Sequence, residues 1–335
     1  MAPRVLITGT TGFIGRRVAA TAAARADLGH LRLLTRSAAT VVSTVVSTGE
    51  EPAGYAGPVT GPVTETVTGD LRDPDSLRRA CEGVDVLIHC ASAIGGDEEL
   101  LRAVNDDGTR TLVDAAVRAG VTRIVSLSTA SVHGRGPFRA AAPGTLPLAP
   151  GSATSRTRAA ADGHVLDAGG TVLRPHLVYG TGDVRVVPGL VGLLAALPGP
   201  LDAGASLHSV IDVDNLAGVL LGAALSPRTE AGPYYVDHPE PVPVAELLAP
   251  CEELLSARTD RPRAGAVDLA EAYDLLAGHP YGRHHLAMLA TDHWFADDRP
   301  WRELGCAPGP GFTAGFPGHA EWYRDLLTRP GRASG

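Results

Sequence analysis

Three glycines near the start of the chain have the spacing of a phosphate-binding turn. The stretch TGTTGFIG, residues 8–15, follows the apolar run VLI and leads into the helical pattern FIGRRVAATAAARA. Glycines let the backbone approach a pyrophosphate closely, and the start of the following helix stabilises its negative charge. Glycine turns also occur for packing alone, but a strand before and a helix after are the context that a dinucleotide site requires. We therefore predict that the cofactor is bound here by Gly9, Thr11, Gly12, Phe13, Ile14 and Gly15.

The residue type at position 36 bears on which of the two nicotinamide dinucleotides is bound. The second apolar run ends in LLTRS, so that Arg36 and Ser37 follow the predicted second strand. An acidic residue at this position hydrogen-bonds a free ribose 2′-hydroxyl, whereas an arginine pairs with a 2′-phosphate. We expect NADPH or NADP as the cofactor, with NADH less favoured. The competing interpretation is a solvated arginine at the end of a strand.

The elements that must position these residues alternate along the first 130 residues. Short Val, Leu and Ile runs are separated by helical patterns, which is typical of a parallel sheet covered by helices on both faces. The predicted fold class is α/β, a Rossmann-type doubly wound parallel sheet with a smaller C-terminal substrate-binding cap. We expect an NADP-binding domain over residues 1–180 and mainly the cap over 181–330, with the segment around 206–237 returning to the Rossmann domain.

Two segments interrupt the alternation of strands and helices. The Val/Thr-rich stretch from residue 37 to 62 predicts a short hairpin or a surface loop. The stretch GRGPFRAAAPGTLPLAPG, residues 134–151, is too rich in glycine and proline to predict regular structure. Long loops of this kind often border a binding site.

Composition excludes several classes of function. A formal net charge of −8 gives no sign of a nucleic-acid partner. Arginine accounts for all 29 of the Lys and Arg residues, so that chemistry requiring a lysine amine is excluded. The absence of a signal-peptide pattern and of a run of about 20 apolar residues predicts a cytoplasmic protein without a membrane span. Neither CxxC nor a Cys/His ligand spacing occurs, so we expect free thiols at Cys81, Cys90, Cys251 and Cys306 and no metal site in the protein.

Further motifs occur in order along most of the chain: GDLRD at 69–73, VDVLIHCAS at 84–92, VNDDGTRTLVDAA at 104–116, SLSTASVHG at 126–134, LRPHLVYGTGD at 173–183 and VIDVDNLA at 210–217. Together with the glycine turn, they resemble the extended short-chain dehydrogenase/reductase family. The resemblance implies that Asp70 and Leu71 flank the adenine, and that Cys90, Ala91 and Ser92 run past the ribose and the nicotinamide. It also implies that the nicotinamide end is lined by Pro175, Leu177 and Val178, and the substrate pocket by Ser131, His133, His176 and Tyr179. Asn105 would hold the sheet together, and Asp212 and Asp214 would cap the helix that follows them.

The reaction centre of that family is a Ser or Thr after the fifth strand, followed by a Tyr and a Lys four residues apart on the next helix. Thr129 matches the first position, and the helical stretch GSATSRTRAAADGHV, residues 151–165, supplies Thr154 and Arg158 for the other two. The usual proton donor is therefore absent. A threonine hydroxyl is too weak an acid to replace a tuned tyrosine. Arg158 stays charged, so it can hold a ribose or stabilise an oxyanion but cannot supply the proton.

The residues and the resemblance together predict an NADPH-dependent ketoreductase that works without a tyrosine. The bias toward Arg, Ala and Gly is typical of high-GC bacterial genes, and the chain resembles the atypical ketoreductases of angucyclinone-type antibiotic pathways. We expect a small-molecule ketone of the polycyclic aromatic polyketide class as substrate, and a proton from a substrate hydroxyl or from water. A non-catalytic NADP-binding sensor or scaffold is one alternative, and a sugar-nucleotide epimerase or dehydratase is another.

Overall fold

The main sheet has seven parallel strands in the order β12-β7-β5-β4-β1-β2-β3. The computed structural model describes residues 2–37, 61–258 and 265–328. The strands are β1 (Arg4–Thr8), β2 (His30–Thr35), β3 (Val63–Thr68), β4 (Val86–His89), β5 (Arg123–Leu127), β7 (Thr171–Arg174) and β12 (Gly232–Tyr235). This is the doubly wound α/β sheet that the sequence predicts.

The apolar runs form strands because both faces of the sheet are covered by helices. Val5 and Ile7 pack into the core cluster on one face, while Leu6 packs into the cluster on the other face. Successive side chains of a strand point to opposite faces, so a continuous apolar run fits a sheet with two buried faces. The first face is covered by α1 (Phe13–Ala23) and α7 (Val213–Leu225), and the second by α2 (Pro74–Cys81), α4 (Gly108–Arg118) and α5 (Ala153–Asp167).

A π-helical turn joins the short helix α3 (Glu98–Leu101) to α4. The turn spans Arg102–Asp107 and places Asn105 in the interior, with 1% of its surface exposed. The Asn105 amide accepts from the backbone N–H of Ala93 at 2.7 Å and donates to the hydroxyl of Thr157 at 3.0 Å. Asn105 therefore fastens the loop after β4 to α5.

The remaining elements lie outside the main sheet, and most of them form a smaller layer around a second core cluster. They are β6 (Phe138–Ala141), β8 (Leu177–Tyr179), β9 (Leu201–Asp202), β10 (Leu207–His208), β11 (Val210–Asp212), β13 (Val242–Pro243), β14 (Val267–Asp268), β15 (His293–Phe295), α6 (Val186–Ala195), α8 (Val244–Ser256), α9 (Leu269–Leu275), α10 (Pro280–Leu289), α11 (Arg299–Glu303), α12 (Phe312–Gly315) and α13 (Ala320–Thr328). Four of these strands form a second sheet in the order β13-β10-β15-β6.

The chain leaves the main sheet and returns to it. After β7 it enters the smaller layer through β8 and α6, and it comes back through α7 and the edge strand β12, which pairs in parallel with β7. Asp212 begins α7, since its carboxylate accepts from the backbone N–H of Asp214 at 2.7 Å. Asp214 forms an ion pair with Arg17 of α1 at 3.0 Å. The ion pair attaches α7 to α1, the helix that follows the glycine turn.

One expectation about the loops is wrong, and another lies outside the described residues. The Gly/Pro-rich stretch 134–151 contains the strand β6, which is regular because it pairs in parallel with β15. The hairpin or surface loop predicted for 37–62 falls mainly on residues 38–60, outside the described part. Among the described residues, no helix combines the length and apolarity that a membrane crossing requires.

Candidate functional site

A groove of about 420 Å³ lies at the carboxyl ends of β1, β2 and β4. In an open parallel sheet, this is the edge where ligands bind. The groove brings together many of the predicted cofactor residues, namely Gly9, Thr11, Gly12, Arg36, Asp70, Leu71, Cys90, Ala91 and Ser92. Phe13, Ile14 and Gly15 follow directly in the first turn of α1.

Gly9 and Gly15 are required by close backbone contacts in the turn. Gly9 has φ +73°, and a Cβ on it would lie 2.5 Å from the backbone nitrogen of Ala91. A Cβ on Gly15 would lie 2.2 Å from the carbonyl oxygen of Gly9. No side chain caps the first amides of α1, because the N-cap residue is Gly12. The turn therefore fits a pyrophosphate, which would accept hydrogen bonds from those amides.

Two arginines, Arg36 and Arg72, lie at the end of the groove where β2 and β3 end. Arg36 is exposed there, and Arg72 lines the same groove. Arg72 donates to the Asp70 carboxylate at 2.8 Å, and this hydrogen bond lowers the pKa of Asp70 to about 2. Asp70 neutralises one of the two arginines, which leaves a net positive charge for an anionic ligand.

A second cavity, of about 320 Å³, lies beside the carboxyl ends of β5 and β7 and is called the substrate cavity below. It brings together four predicted residues: Thr129 and Ser131, His176 and Leu177. Thr129 begins the 3-10 turn Ala130–His133, and its hydroxyl donates to that of Ser131 at 3.1 Å. The rest of the wall consists of Arg185, Val186, Gly189, Leu190, His208, His284, His285, Met288 and Leu289.

Arg158 connects the loop beside the groove with the end of β5. It is 9% exposed, and its guanidinium donates to the Ser92 hydroxyl at 2.7 Å and to the Leu127 carbonyl at 2.6 Å. Burial lowers the pKa of Arg158, while the neighbouring Asp162 carboxylate opposes that shift. Ser92 also lines the cofactor groove, so Arg158 holds a residue of the groove in place.

The helix that carries Arg158, α5, begins with a serine cap. The Ser152 hydroxyl accepts from the backbone N–H of Ser155 at 3.1 Å, which caps the helix. Thr154 is partly exposed and lies one turn before Arg158 on the same side of α5. One turn after Arg158, the buried Asp162 forms an ion pair with Arg174 of β7 at 2.9 Å. This pair joins α5 to the sheet.

Several predicted site residues lie away from both cavities. Tyr179 is 2% exposed and packs edge-on against Phe312, and burial raises the pKa of its phenol. His133 is buried and bonds the Pro147 carbonyl at 2.9 Å and the Tyr235 hydroxyl at 3.0 Å. Pro175 and Val178 are buried and line neither cavity, and Ser37 is exposed just after Arg36. Tyr179 and His133 therefore contribute to packing rather than to the cavity surface.

Part of the substrate cavity was not predicted from the sequence. Its wall includes Arg185, His208, Met288 and the pair His284 and His285, and no site residue was predicted after Tyr179. The doublet HH within YGRHHLAML is the signal in the sequence that could have indicated His284 and His285. Burial raises the pKa of the Cys90 thiol to about 12, so this groove residue is a neutral thiol and not a nucleophile.

The sheet and the glycine turn define a dinucleotide-binding protein, and comparison with known proteins identifies its class as an NAD(P)-dependent oxidoreductase of the extended short-chain dehydrogenase/reductase type. The model of the 3-beta hydroxysteroid dehydrogenase/isomerase family matches residues 6–246. The chain belongs to this family.

Some relatives are named as reductases and others as sterol or hydroxysteroid dehydrogenases. The chain is 30% identical over 277 residues to the 2-alkyl-3-oxoalkanoate reductase of Stenotrophomonas maltophilia, covering 72% of this chain and 81% of the relative. It is 28% identical over 326 residues to the 4-hydroxy-2-methyl-3-oxo-4-farnesyl-3,4-dihydroquinoline-1-oxide ketoreductase of Stigmatella aurantiaca, covering 91% and 92%.

Solved structures share the fold. A crystal structure of a double mutant of the dTDP-glucose 4,6-dehydratase DesIV from Streptomyces venezuelae, with NAD bound, has a TM-score of 0.70 and 22% identity to this chain. The match covers 96% of this chain and 97% of that one. The likeness supports the same fold.

Proposed function

We propose that the protein is an NADPH-dependent ketoreductase that reduces a ketone on a polycyclic aromatic polyketide of the angucyclinone type. The observation that carries this proposal is the position of Arg158. It is buried beside the cofactor groove, at the position that the family resemblance assigns to the lysine, and none of the described residues that line the substrate cavity is a tyrosine. When bound, NADPH supplies the hydride.

The preference for NADPH is supported by the charge at the end of β2. Arg36 is exposed at the edge of the groove, and the neighbouring Arg72 is paired with Asp70. An exposed guanidinium at this position can form charge-assisted hydrogen bonds to a ribose 2′-phosphate. No acidic residue stands at position 36 or 37 to bind a free 2′-hydroxyl.

The substrate class is supported by the wall of the substrate cavity. Leu177, Leu190, Met288 and Leu289 give it apolar surface, and the wall also contains Arg185, four histidines and the hydroxyls of Thr129 and Ser131. Such a site suits a rigid ring system that carries polar groups. The Stigmatella relative is named for a fused-ring ketone with a hydroxyl on the adjacent carbon.

In this proposal, the proton that reaches the reduced carbonyl does not come from a tyrosine side chain. Thr154 is a very weak acid, and the Arg158 guanidinium keeps its protons at working pH. A substrate hydroxyl beside the ketone has an acidity like that of tyrosine when it is phenolic, and it lies within hydrogen-bonding reach of the new alkoxide. Thr129 and Ser131 position the carbonyl in this scheme, and water restores the proton afterwards.

The test compares pairs of substrates. Purified protein is mixed with NADPH and polycyclic ketones that carry a free hydroxyl beside the carbonyl, and with the methyl ethers of the same compounds. We expect NADPH oxidation with the free hydroxyls and a rate at least about 100-fold lower with the ethers, the cost of losing a general acid. Equal rates would contradict the proton source, and the absence of oxidation with every ring ketone would contradict the substrate class.

A further inference from the structure

Three histidines from separate strands converge at the edge of the substrate cavity. His208 of β10 and His293 of β15 are register partners on neighbouring parallel strands. Register partners present their side chains on the same face of a sheet. His176, which lies between β7 and β8, completes the group, and one ring nitrogen of each residue lies within 4.8 Å of one ring nitrogen of each of the others. We call these three residues the histidine cluster.

The ring planes of the histidine cluster are nearly parallel. The His176 and His293 planes differ by 9°, and the His208 and His293 planes by 13°. The corresponding ring centres are 5.4 and 6.1 Å apart, which is too far for close face-to-face stacking. The rings are therefore held in a common orientation by their strands, and stacking between them does not account for it.

Backbone hydrogen bonds fix which ring nitrogen carries the lone pair. The Nδ1 of His293 lies 2.8 Å from the Thr291 carbonyl, which can only accept, so Nδ1 carries the hydrogen. The lone pair of His293 is then on Nε2, which is buried and has no hydrogen-bond partner among the described residues. His293 is 1% exposed. A buried acceptor of this kind is uncommon and points to a ligand.

His208 has the complementary arrangement. Its Nε2 lies 3.1 Å from the Ser206 hydroxyl oxygen and 3.3 Å from the Leu289 carbonyl. The Ser206 hydroxyl itself donates to Leu289, so that Nε2 of His208 is the donor and Nδ1 carries the lone pair. An N–H held by a backbone carbonyl or a hydroxyl is the usual support of a metal-bound imidazole.

From this arrangement we propose that the histidine cluster binds a divalent transition metal, with Zn²⁺ the best match, and leaves one coordination position open to the substrate cavity. Three neutral imidazoles are the donor set of catalytic zinc sites that keep a fourth position free. His176 and His208 line the substrate cavity, so the open position faces it. An oxygen donor, either water or a hydroxyl of the bound molecule, would complete the coordination. The site stands independently of the reduction proposed above.

The test measures metal binding and needs no substrate. The metal-free protein is titrated with Zn²⁺ by calorimetry and with Co²⁺ by visible absorption, which reports the geometry and the donor set. We expect one ion per chain in the wild type, and an affinity loss of at least about 100-fold in His208→Gln and in His293→Gln. The matched control is His284→Gln, because His284 lines the same cavity but does not belong to the cluster.

The outcomes separate a metal site from a structural group of histidines. A wild type that binds no ion would overturn the proposal, and so would equal losses in His284→Gln and His293→Gln. Circular dichroism and NADPH binding report whether each variant is folded. If a variant does not fold, X-ray absorption of the zinc-loaded wild type counts the coordinated imidazoles, and fewer than three would also overturn it.

Discussion

The guanidinium of Arg158 donates a 2.7 Å hydrogen bond to the hydroxyl of Ser92 and so connects α5 to the loop after β4. Its second bond, to the Leu127 carbonyl, ties the same group to the end of β5. Arg158 therefore fixes the distance between the cofactor groove and the strand that leads to Thr129. A buried cation with two fixed acceptors can hold this junction while remaining charged.

Replacing Arg158 with methionine removes both hydrogen bonds and leaves a side chain of similar length. We expect the KM for NADPH to rise and kcat to fall, together by about 10²-fold or more in kcat/KM, because positioning at the groove is lost. Arg158→Lys keeps the charge and should retain part of the activity. The control is Arg156→Met, since Arg156 is exposed on the same helix and, among the described residues, forms its ion pair with Glu98. A loss equal to that of Arg158→Met would contradict the assigned role.

Reversing the charge at position 36 should change the cofactor preference. Arg36→Glu places a carboxylate beside the expected 2′-phosphate, so we expect the ratio of kcat/KM for NADPH to that for NADH to fall by at least about 10-fold. Steady-state kinetics with both cofactors measure this ratio. Arg78→Glu is the control, because Arg78 is exposed on α2 and does not line the groove. An unchanged ratio in Arg36→Glu would mean that Arg36 is only a solvated arginine.

Restoring the tyrosine and lysine of the family should allow the protein to reduce substrates that lack a free hydroxyl beside the ketone. Thr154 and Arg158 lie four residues apart on one side of α5, so the double variant Thr154→Tyr with Arg158→Lys rebuilds the family arrangement. We expect it to reduce the methyl-ether substrates that the wild type leaves unchanged, with a gain of about 10² in rate. Each single variant should lack this gain, since the tyrosine needs the lysine to lower its pKa. Turnover of the ethers by neither the wild type nor the double variant, in a protein that binds NADPH, would contradict the alignment of α5.

The ion pair between Asp162 and Arg174 should matter for stability, unlike the exposed pairs. Both side chains are almost fully buried at a distance of 2.9 Å, so Asp162→Asn leaves Arg174 without its counter-charge. We expect the free energy of unfolding to fall by about 3 kcal/mol or more. Asp75→Asn breaks an exposed pair with Arg78 and should cost less than about 1 kcal/mol. Urea unfolding of both variants measures the difference, and similar costs would be inconsistent with the buried geometry.

Two glycines that lie within helices should respond oppositely to replacement by alanine. Gly15→Ala places a methyl group 2.2 Å from the Gly9 carbonyl, so the turn must shift and dinucleotide binding should be lost. Gly163 lies within α5, and nothing stands within 4 Å of its added Cβ. Gly163→Ala should therefore raise the free energy of unfolding by about 0.5–1 kcal/mol with unchanged binding. Fluorescence titration with NADPH and thermal unfolding measure both effects, and retained affinity in Gly15→Ala would contradict the tight turn.

Much of the main sheet could be predicted because its signals are local. The apolar runs of β1, β4 and β5 are buried on both faces, and the glycine turn is short enough to read from residues 8–15. The N-cap at Ser152 is equally local, since its partner is Ser155. Such features depend on residues that are close in the sequence, so they can be predicted without the tertiary structure.

The walls of the substrate cavity could not be predicted in the same way, because they depend on contacts between distant segments. Tyr179 turns toward Phe312 and not toward the cavity, and nothing near position 179 in the sequence indicates that partner. His208 and His293 become neighbours only when β10 pairs with β15. The strand β6 likewise forms in a Gly/Pro-rich stretch because β15 supplies its partner backbone.

The return of the chain to the main sheet at β12 also bears on how this protein could change its specificity. The edge strand Gly232–Tyr235 pairs with β7, although the cavity-lining residues Leu190 and Met288 come before and after it in the sequence. A single crossover between two genes would therefore exchange part of the cavity together with part of the sheet. New substrate ranges are reached more readily by separate grafts of the segment around 184–208, which lies between β7 and β12, and of the segment around 280–293, which follows β12, while the strands of the main sheet stay unchanged.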